Sequence, residues 1–224
     1  MESPRTKTSI FSFFTPIKIF SISVFICEVV LALIYKPSIL TILPVFISVF
    51  ILFLQTRVNR FAYLIGAINA ILYAIAYYTM SLYATAAYAL FISSTLQIFT
   101  FIAWQRHTQN GSTQTKKMSW RARAILALAV AGTWLLMYVI FRSLESEYMF
   151  FDTTVSVLGI VATVLILLRY AEGTLIGFPS SIVSIVMYIQ MLDSDPSRII
   201  WLIFTVYTLI CQTITFINMK RKAE

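Results

Sequence analysis

Apolar residues in this chain run in long unbroken blocks rather than in the alternation of a half-buried strand or the single stripe of a soluble helix. A transmembrane helix takes about 20 mostly apolar residues, with a range of roughly 17–25. Eight stretches meet that requirement, at 10–35, 38–56, 60–79, 83–105, 120–141, 150–170, 174–191 and 197–219. The pattern predicts an all-α polytopic membrane protein, because a helix satisfies its own backbone hydrogen bonds in hydrocarbon. The first stretch carries Pro16, Lys18 and Glu28, so it can be read as a span, an interfacial helix or a signal-like segment. No small-residue cleavage pattern follows it, and it is taken as a span.

Composition narrows the picture further. Of 224 residues, 59% are hydrophobic and 12% charged, against roughly 45–50% and about 25% in soluble domains. So few charges cannot coat a water-soluble fold, which excludes soluble enzymes, nucleic-acid binders and disordered chains. The net charge of +8 lies in loops. With eight spans, one side holds Arg5, Lys7, Arg57, Arg60, Arg106, Lys116, Lys117, Arg121, Arg123, Arg169, Lys220, Arg221 and Lys222. The other holds Lys36, Arg142 and Arg198 with Glu145, Glu147, Asp152, Asp193 and Asp195. Thirteen basic residues against three predict a multi-pass protein of the cytoplasmic membrane with both termini in the cytoplasm. Cys27 and Cys211 sit in apolar segments and His107 in a basic loop. No disulfide framework, metal site, cofactor or catalytic set is expected from them.

A repeat lies under the pattern. A shift of 115 residues brings Gln97–Ile102 onto Gln212–Ile217 with four of six positions identical, Arg106 onto Arg221 and Tyr73 onto Tyr188. It also pairs Gly66 with Ser181 and Asn69 with Ser184. The units would each hold three helices. A linker helix at 120–141 restores the orientation and makes the repeats parallel, a plan of SWEET-type transporters. The chain then divides into an N-terminal helix (1–37), a first three-helix repeat (38–106), a basic loop and linker helix (107–149), and a second repeat with a basic tail (150–224).

A solute site near the midplane between the repeats is the expected consequence. Asn69 and Tyr73 share one helix face, as do Ser181, Ser184 and Tyr188, while Gln97 with Thr100 and Gln212 with Thr215 form repeated polar steps. Amides and hydroxyls offer donors and acceptors without fixed charge, suiting a neutral hydroxylated solute. The same groups also join membrane helices, at about 0.6 kcal/mol on average. Packing is the preferred reading for a single serine or threonine, and the site for Gln97, Gln212 and Asn69. Tyr73 and Tyr188 stack on a ring or pack. Glu28, a mid-membrane acid, is a functional candidate as a proton-coupling group or a cation binder, but structural pairing, with Lys18 ten residues away, or a protonated, lipid-tolerated state is preferred. Gly177-Phe178-Pro179 reads as the start of the seventh span rather than an unwound hinge, with Phe178 a further stacking candidate. Trp104, Trp120, Trp134 and Trp201 read as interfacial anchors, although Trp201 could reach a cavity.

The stretch Asn59-Arg-Phe-Ala-Tyr-Leu-Ile-Gly66-Ala-Ile-Asn69, then Leu82-Tyr83-Ala84 and the run from Gln97 to Trp104, resembles the PnuC-type vitamin transporters. So does Phe151-Asp152-Thr-Thr-Val-Ser-Val-Leu-Gly-Ile-Val-Ala162, continuing to Leu168-Arg169-Tyr170-Ala171-Glu172, and the likeness spans roughly residues 39–219. The resemblance implies three plus one plus three helices related to SWEETs, often in homotrimers. It implies facilitated diffusion of nucleoside-like vitamins, trapped inside by a cytoplasmic kinase; nicotinamide riboside, thiamine, riboflavin and deoxynucleosides are family substrates. Nicotinamide riboside members typically carry Glu-x-Trp-x-x-Trp before the seventh span and an asparagine soon after. Here Glu172 is kept, but Thr174 and Gly177 stand where the tryptophans would be, and Ser181 near the asparagine. The expectation is therefore a uniporter for neutral nucleosides or deoxynucleosides, with nicotinamide riboside or thiamine as the alternative. Its substrate-binding residues would be Asn69, Tyr73, Gln97, Phe178, Ser181, Ser184, Tyr188 and Gln212. A reading of another class is a membrane scaffold or substrate-binding subunit for a partner, docking through the basic loop 106–123.

Overall fold

The computed structural model describes residues 8–106, 108–109, 112–113, 116–142 and 148–222. His107, Arg5, Lys7, Glu145 and Glu147, each placed above by sequence, lie outside the described residues. Eight long helices follow in chain order: α1 (Thr8–Tyr35), α2 (Ile39–Thr56), α3 (Phe61–Thr79), α4 (Tyr83–Gln105), α5 (Trp120–Phe141), α6 (Met149–Leu167), α7 (Glu172–Met191) and α8 (Ile199–Lys222). All eight contain a segment long and apolar enough to cross a bilayer. The protein is thus an all-α, multi-pass membrane protein, its β features among the described residues a ribbon of Thr108–Gln109 against Ser112–Thr113 and an isolated parallel bridge of Lys116 with Tyr170.

Six helices close into a ring. Each neighbouring pair is packed together in the order α2, α3, α4, α6, α7, α8 and back to α2. α1 lies outside on α2 and α8, and α5 lies outside on α6 with a touch on the first turn of α4. The ring therefore has two seams between the sequence halves, α4 with α6 and α8 with α2, and a peripheral helix stands near each. α5 buries no residue completely; it docks through Ala122, Leu126 and Val130 against Val161 and Leu165, and through Trp134, whose indole donates to Thr154 Oγ1 at 3.0 Å and whose ring meets Phe150 edge-on.

Tight turns set the helix ends. Val58 and Arg169 take left-handed φ of 55° and 68°, a conformation that costs a β-branched residue most. At both places the chain folds back identically, Asn59 N–H reaching Leu54 O and Tyr170 N–H reaching Leu165 O. α6 consequently stops at Leu167, before the expected 170, and α7 starts at Glu172. Pro179 thus sits inside α7, not at its start. The missing proline N–H leaves the Leu175 carbonyl without its helical donor.

Buried clusters lie at both ends of the ring. Ile42, Val45, Met80, Leu82, Met187, Met191 and Trp201 pack together at one end. Val58, Tyr63, Trp104, Ala171 and Met219 do so at the end carrying the basic loops. Trp104 and Trp201 are buried rather than interfacial, at 0% and 2% exposure, whereas Trp120 is exposed. The Trp104 indole finds its acceptor inside the protein, in Ile166 O at 3.0 Å, so it needs no headgroup to satisfy it.

Candidate functional site

All six ring helices face one cavity of about 300 Å³, at the lower end of the roughly 300–1,000 Å³ typical of small-molecule sites. The structure brings Asn69, Tyr73, Gln97, Ser181, Ser184, Tyr188 and Gln212 to its wall. Phe178 is not among the lining residues. At about 100° per residue, it projects roughly 90° around α7 from the line through Gly177, Ser181, Ser184 and Tyr188.

The two glutamines occupy matching places. Gln97 lies over Gly66, where a Cβ would overlap its amide, and donates to Ser93 Oγ at 2.9 Å. Gln212 lies over Gly177, where a Cβ would come within 2.6 Å of Nε2, and accepts from Ser181 Oγ at 3.1 Å. Gly66 and Ser181 are partners under the 115-residue shift. Each glutamine thus meets the same helix position in its own half. Absence or smallness of a side chain on α3 and α7 is what lets these amides lie across the cavity wall.

Asn69 is 2% exposed and donates through Nδ2 to Pro44 O at 2.9 Å and Ser48 Oγ at 2.8 Å. Its Oδ1 and the Tyr73 hydroxyl are buried with no hydrogen-bond partner among the described residues. Buried polar atoms left open in this way are rare in folded proteins. Here both belong to residues of the cavity wall, one an acceptor and one a hydroxyl.

Sequence reasoning missed much of the wall. Tyr77, with Tyr73, Tyr188 and Trp201, forms an aromatic group at one end of the cavity. Tyr73 and Tyr77 stack at 5.3 Å, and Trp201 stands 5.5–5.7 Å from Tyr73, Tyr77 and Tyr188. α4 contributes through a π-helical turn at Tyr88–Ser93 that puts Tyr88 and Ser93 on the wall. Such turns recur at functional sites, but nothing in the local residues announces one. The Tyr88 hydroxyl is held by Thr163 Oγ1 at 2.8 Å, and its ring lies over Gly159.

Asp152 fixes this wall from α6. Its carboxylate is 1% exposed and accepts the Ala84 and Thr85 amides at 2.8 and 2.9 Å. Those are orphan donors of the first turn of α4, where a negative charge is stabilising. Thr85, itself on the cavity wall, meets Ser156 Oγ at 3.1 Å.

Two sequence motifs do other work. Glu172 accepts from Met118 N–H at 3.0 Å and from Arg123 Nη2 at 2.7 Å, tying α7 to α5. Thr174 donates to Met219 Sδ at 3.3 Å and does not line the cavity. Glu28 does not pair with Lys18. The lysine is exposed, while both Glu28 carboxyl oxygens are buried and without a hydrogen-bond partner among the described residues. No group of three or more potential metal ligands occurs among the described residues.

A family profile described as nicotinamide mononucleotide transporter matches residues 38–219, from the residue before α2 into the last turn of α8. Among solved structures, one titled "Crystal structure of the Vitamin B3 transporter PnuC" aligns with a TM-score of 0.81. The alignment covers 92% of this chain and 91% of that one at 20% identity, and so establishes a shared fold. No curated protein sequence matches the chain significantly.

Proposed function

Because the chain belongs to the nicotinamide mononucleotide transporter family, and is thus a carrier of a nucleoside-like small molecule rather than an enzyme, we propose that it moves a pyridinium nucleoside such as nicotinamide riboside by alternating access. The observation that carries this reading is the division of one cavity into two chemistries. Amides and hydroxyls from Asn69, Gln97, Ser181, Ser184 and Gln212 line part of it, and Tyr73, Tyr77, Tyr188 and Trp201 gather at one end. The first set suits a ribose. The second suits a planar cation, since an aromatic face attracts one by up to about 2 kcal/mol when desolvated, or on the order of tenfold to thirtyfold in affinity.

The sequence expectation of a neutral nucleoside rests on Thr174 and Gly177 replacing two tryptophans. Neither replacement empties the cavity of aromatic surface, because four other rings gather there. Neutral nucleosides or deoxynucleosides remain the second reading, favoured by the hydroxyl-rich α7 wall of Ser180, Ser181 and Ser184.

On this reading the halves α2–α4 and α6–α8 are parallel repeats that rock about the cavity, with the basic loops on the cytoplasmic side. A homotrimer and a cytoplasmic kinase that traps the solute complete it. The test is uptake into sealed proteoliposomes with no ATP and no ion gradient. Nicotinamide riboside should equilibrate faster than thymidine, and Gln212→Ala should slow both. Preference for thymidine would favour the second reading. Failure of every nucleoside-like solute to equilibrate would refute the carrier assignment.

A further inference from the structure

α1 lies outside the family match, yet it places a carboxyl group directly behind the aromatic end of the cavity. Glu28 is 0% exposed. One turn before it, Val24 packs with Val49, Leu52, Tyr207 and Cys211. One turn after it, Leu31 and Ala32 pack against the cluster that holds Tyr188 and Trp201, with Tyr73 and Tyr77 at its edge. Residues three and four apart share a helix face, so Glu28 points into the same seam between α2 and α8. It stands close enough to Tyr73 and Tyr207 to act electrostatically on both.

Among the described residues, no other charged side chain is placed beside Glu28 in that seam. α2 carries no titratable side chain. On α8 the facing groups are Cys211 and Tyr207, whose hydroxyl meets Ser21 Oγ at 2.8 Å and Val49 O at 3.3 Å. From the turn at 196–198, Arg198 is engaged by Asp195 at 3.1 Å. On α1 itself, Lys18 lies about 15 Å along the helix and is exposed, as is Cys27. Behind the seam stand the neutral phenols Tyr73 and Tyr77. An unpaired carboxylate in such a place is costly, and a positive charge nearby would offset that cost.

We propose that Glu28 is a proton-exchanging counter-charge for the solute cavity. When a cationic solute enters, the Glu28 carboxyl gives up its proton to solvent through the cavity, past the open Tyr73 hydroxyl, and the carboxylate faces the cation across the aromatic group. Charge balances: a neutral acid and a cation become a carboxylate, a bound cation and a released proton. Cations and protons then compete for the protein, whereas neutral nucleosides do not. This rests on the cavity being the solute site, and it adds a device that discriminates by charge.

The test is calorimetry on the full-length protein in lipid nanodiscs at one pH, in two buffers of different ionisation enthalpy. Nicotinamide riboside is the cationic probe and inosine the neutral one. The expected result is release approaching one proton per nicotinamide riboside bound and none for inosine. Glu28→Gln should abolish the release, weaken the cation on the order of tenfold and leave inosine unchanged. Equal heats in both buffers for a wild-type protein that binds nicotinamide riboside would overturn the counter-charge and leave the carrier reading intact. Proton release on inosine binding would overturn it too. Absence of binding by either probe would remove the cavity reading and this one with it. The wild-type measurement stands even if the variant is unstable.

Discussion

Gly66→Ala separates a solute site from simple helix packing. A Cβ at this position would overlap the Gln97 amide, the far end of a flexible, half-buried side chain that can swing aside. The displaced amide loses its 2.9 Å bond to Ser93, while alanine gains about 0.5–1 kcal/mol over glycine in a helix interior. The two effects nearly cancel, so the melting temperature should move little. Solute binding should not escape. Removing one neutral hydrogen bond costs about 0.5–1.5 kcal/mol, or roughly two- to tenfold in affinity, and the added methyl shrinks the cavity further. Gly159→Ala is the control. Its Cβ would meet the Tyr88 ring at 2.8 Å, and that ring is held by Thr163. Overpacking a fixed group costs about 1–3 kcal/mol, so this variant should melt lower. Thermal unfolding and equilibrium binding of nicotinamide riboside on both purified variants supply the readings. Gly66→Ala with wild-type affinity would refute the placement of Gln97 in the site.

Two further substitutions test the frame. Asp152→Asn keeps one acceptor for the two amides that open α4, and should lower stability by about 2–3 kcal/mol, given about 1.5–3 kcal/mol for a bond to a charged group, seen as a fall in melting temperature. Arg123→Ala should change stability by less than about 1 kcal/mol, because the Arg123 side chain is half exposed beside Glu172; a larger loss in denaturant titration would mean that Glu172 depends on it for its buried contact with Met118.

The helices were legible because a bilayer demands long apolar runs, and their boundaries fall within a few residues of the expected ones. Departures came where tertiary contacts set the turn. Arg169 in the left-handed region ends α6 early, and Glu172 then opens α7 by bonding Met118 and Arg123 from another element. Six cavity residues were visible as polar positions repeated at 115-residue spacing (Asn69 with Ser184, Tyr73 with Tyr188, Gln97 with Gln212), and Ser181 as a polar position on the face of Ser184 and Tyr188. Tyr77 and Tyr88 were not, since a tyrosine in an apolar helix has no signature that distinguishes a lining from a packing role. Trp201 carried the opposite difficulty, because a tryptophan near a span end usually faces headgroups. Phe178 was drawn in by its glycine and proline neighbours, yet the helix turns it aside.

The two seams of the ring bear on how a cavity like this can open. Near the basic loops each seam is closed by a side chain that donates to a backbone carbonyl of the other half: Trp104 to Ile166 O at 3.0 Å between α4 and α6, and Asn218 to Thr56 O at 2.7 Å between α8 and α2. Each such bond contributes about 0.5–1.5 kcal/mol net, so this end is latched symmetrically and weakly. The opposite end differs between its seams. Asp152 caps α4 from α6 with two charge-assisted bonds, whereas α8 meets α2 through Ile42, Val45, Ile200 and Trp201, which are apolar. Among the hydrogen bonds named above, a rocking motion that parts the α8–α2 seam there would strain only that of the Tyr207 hydroxyl to Val49 O at 3.3 Å, and it would separate Trp201 from α2. It would also move α1, whose Glu28 lies in that seam. The seam with the fewest directional contacts is thus the one that carries both the aromatic wall and the buried acid, so under the counter-charge proposal its opening would respond to the charge of what the cavity holds.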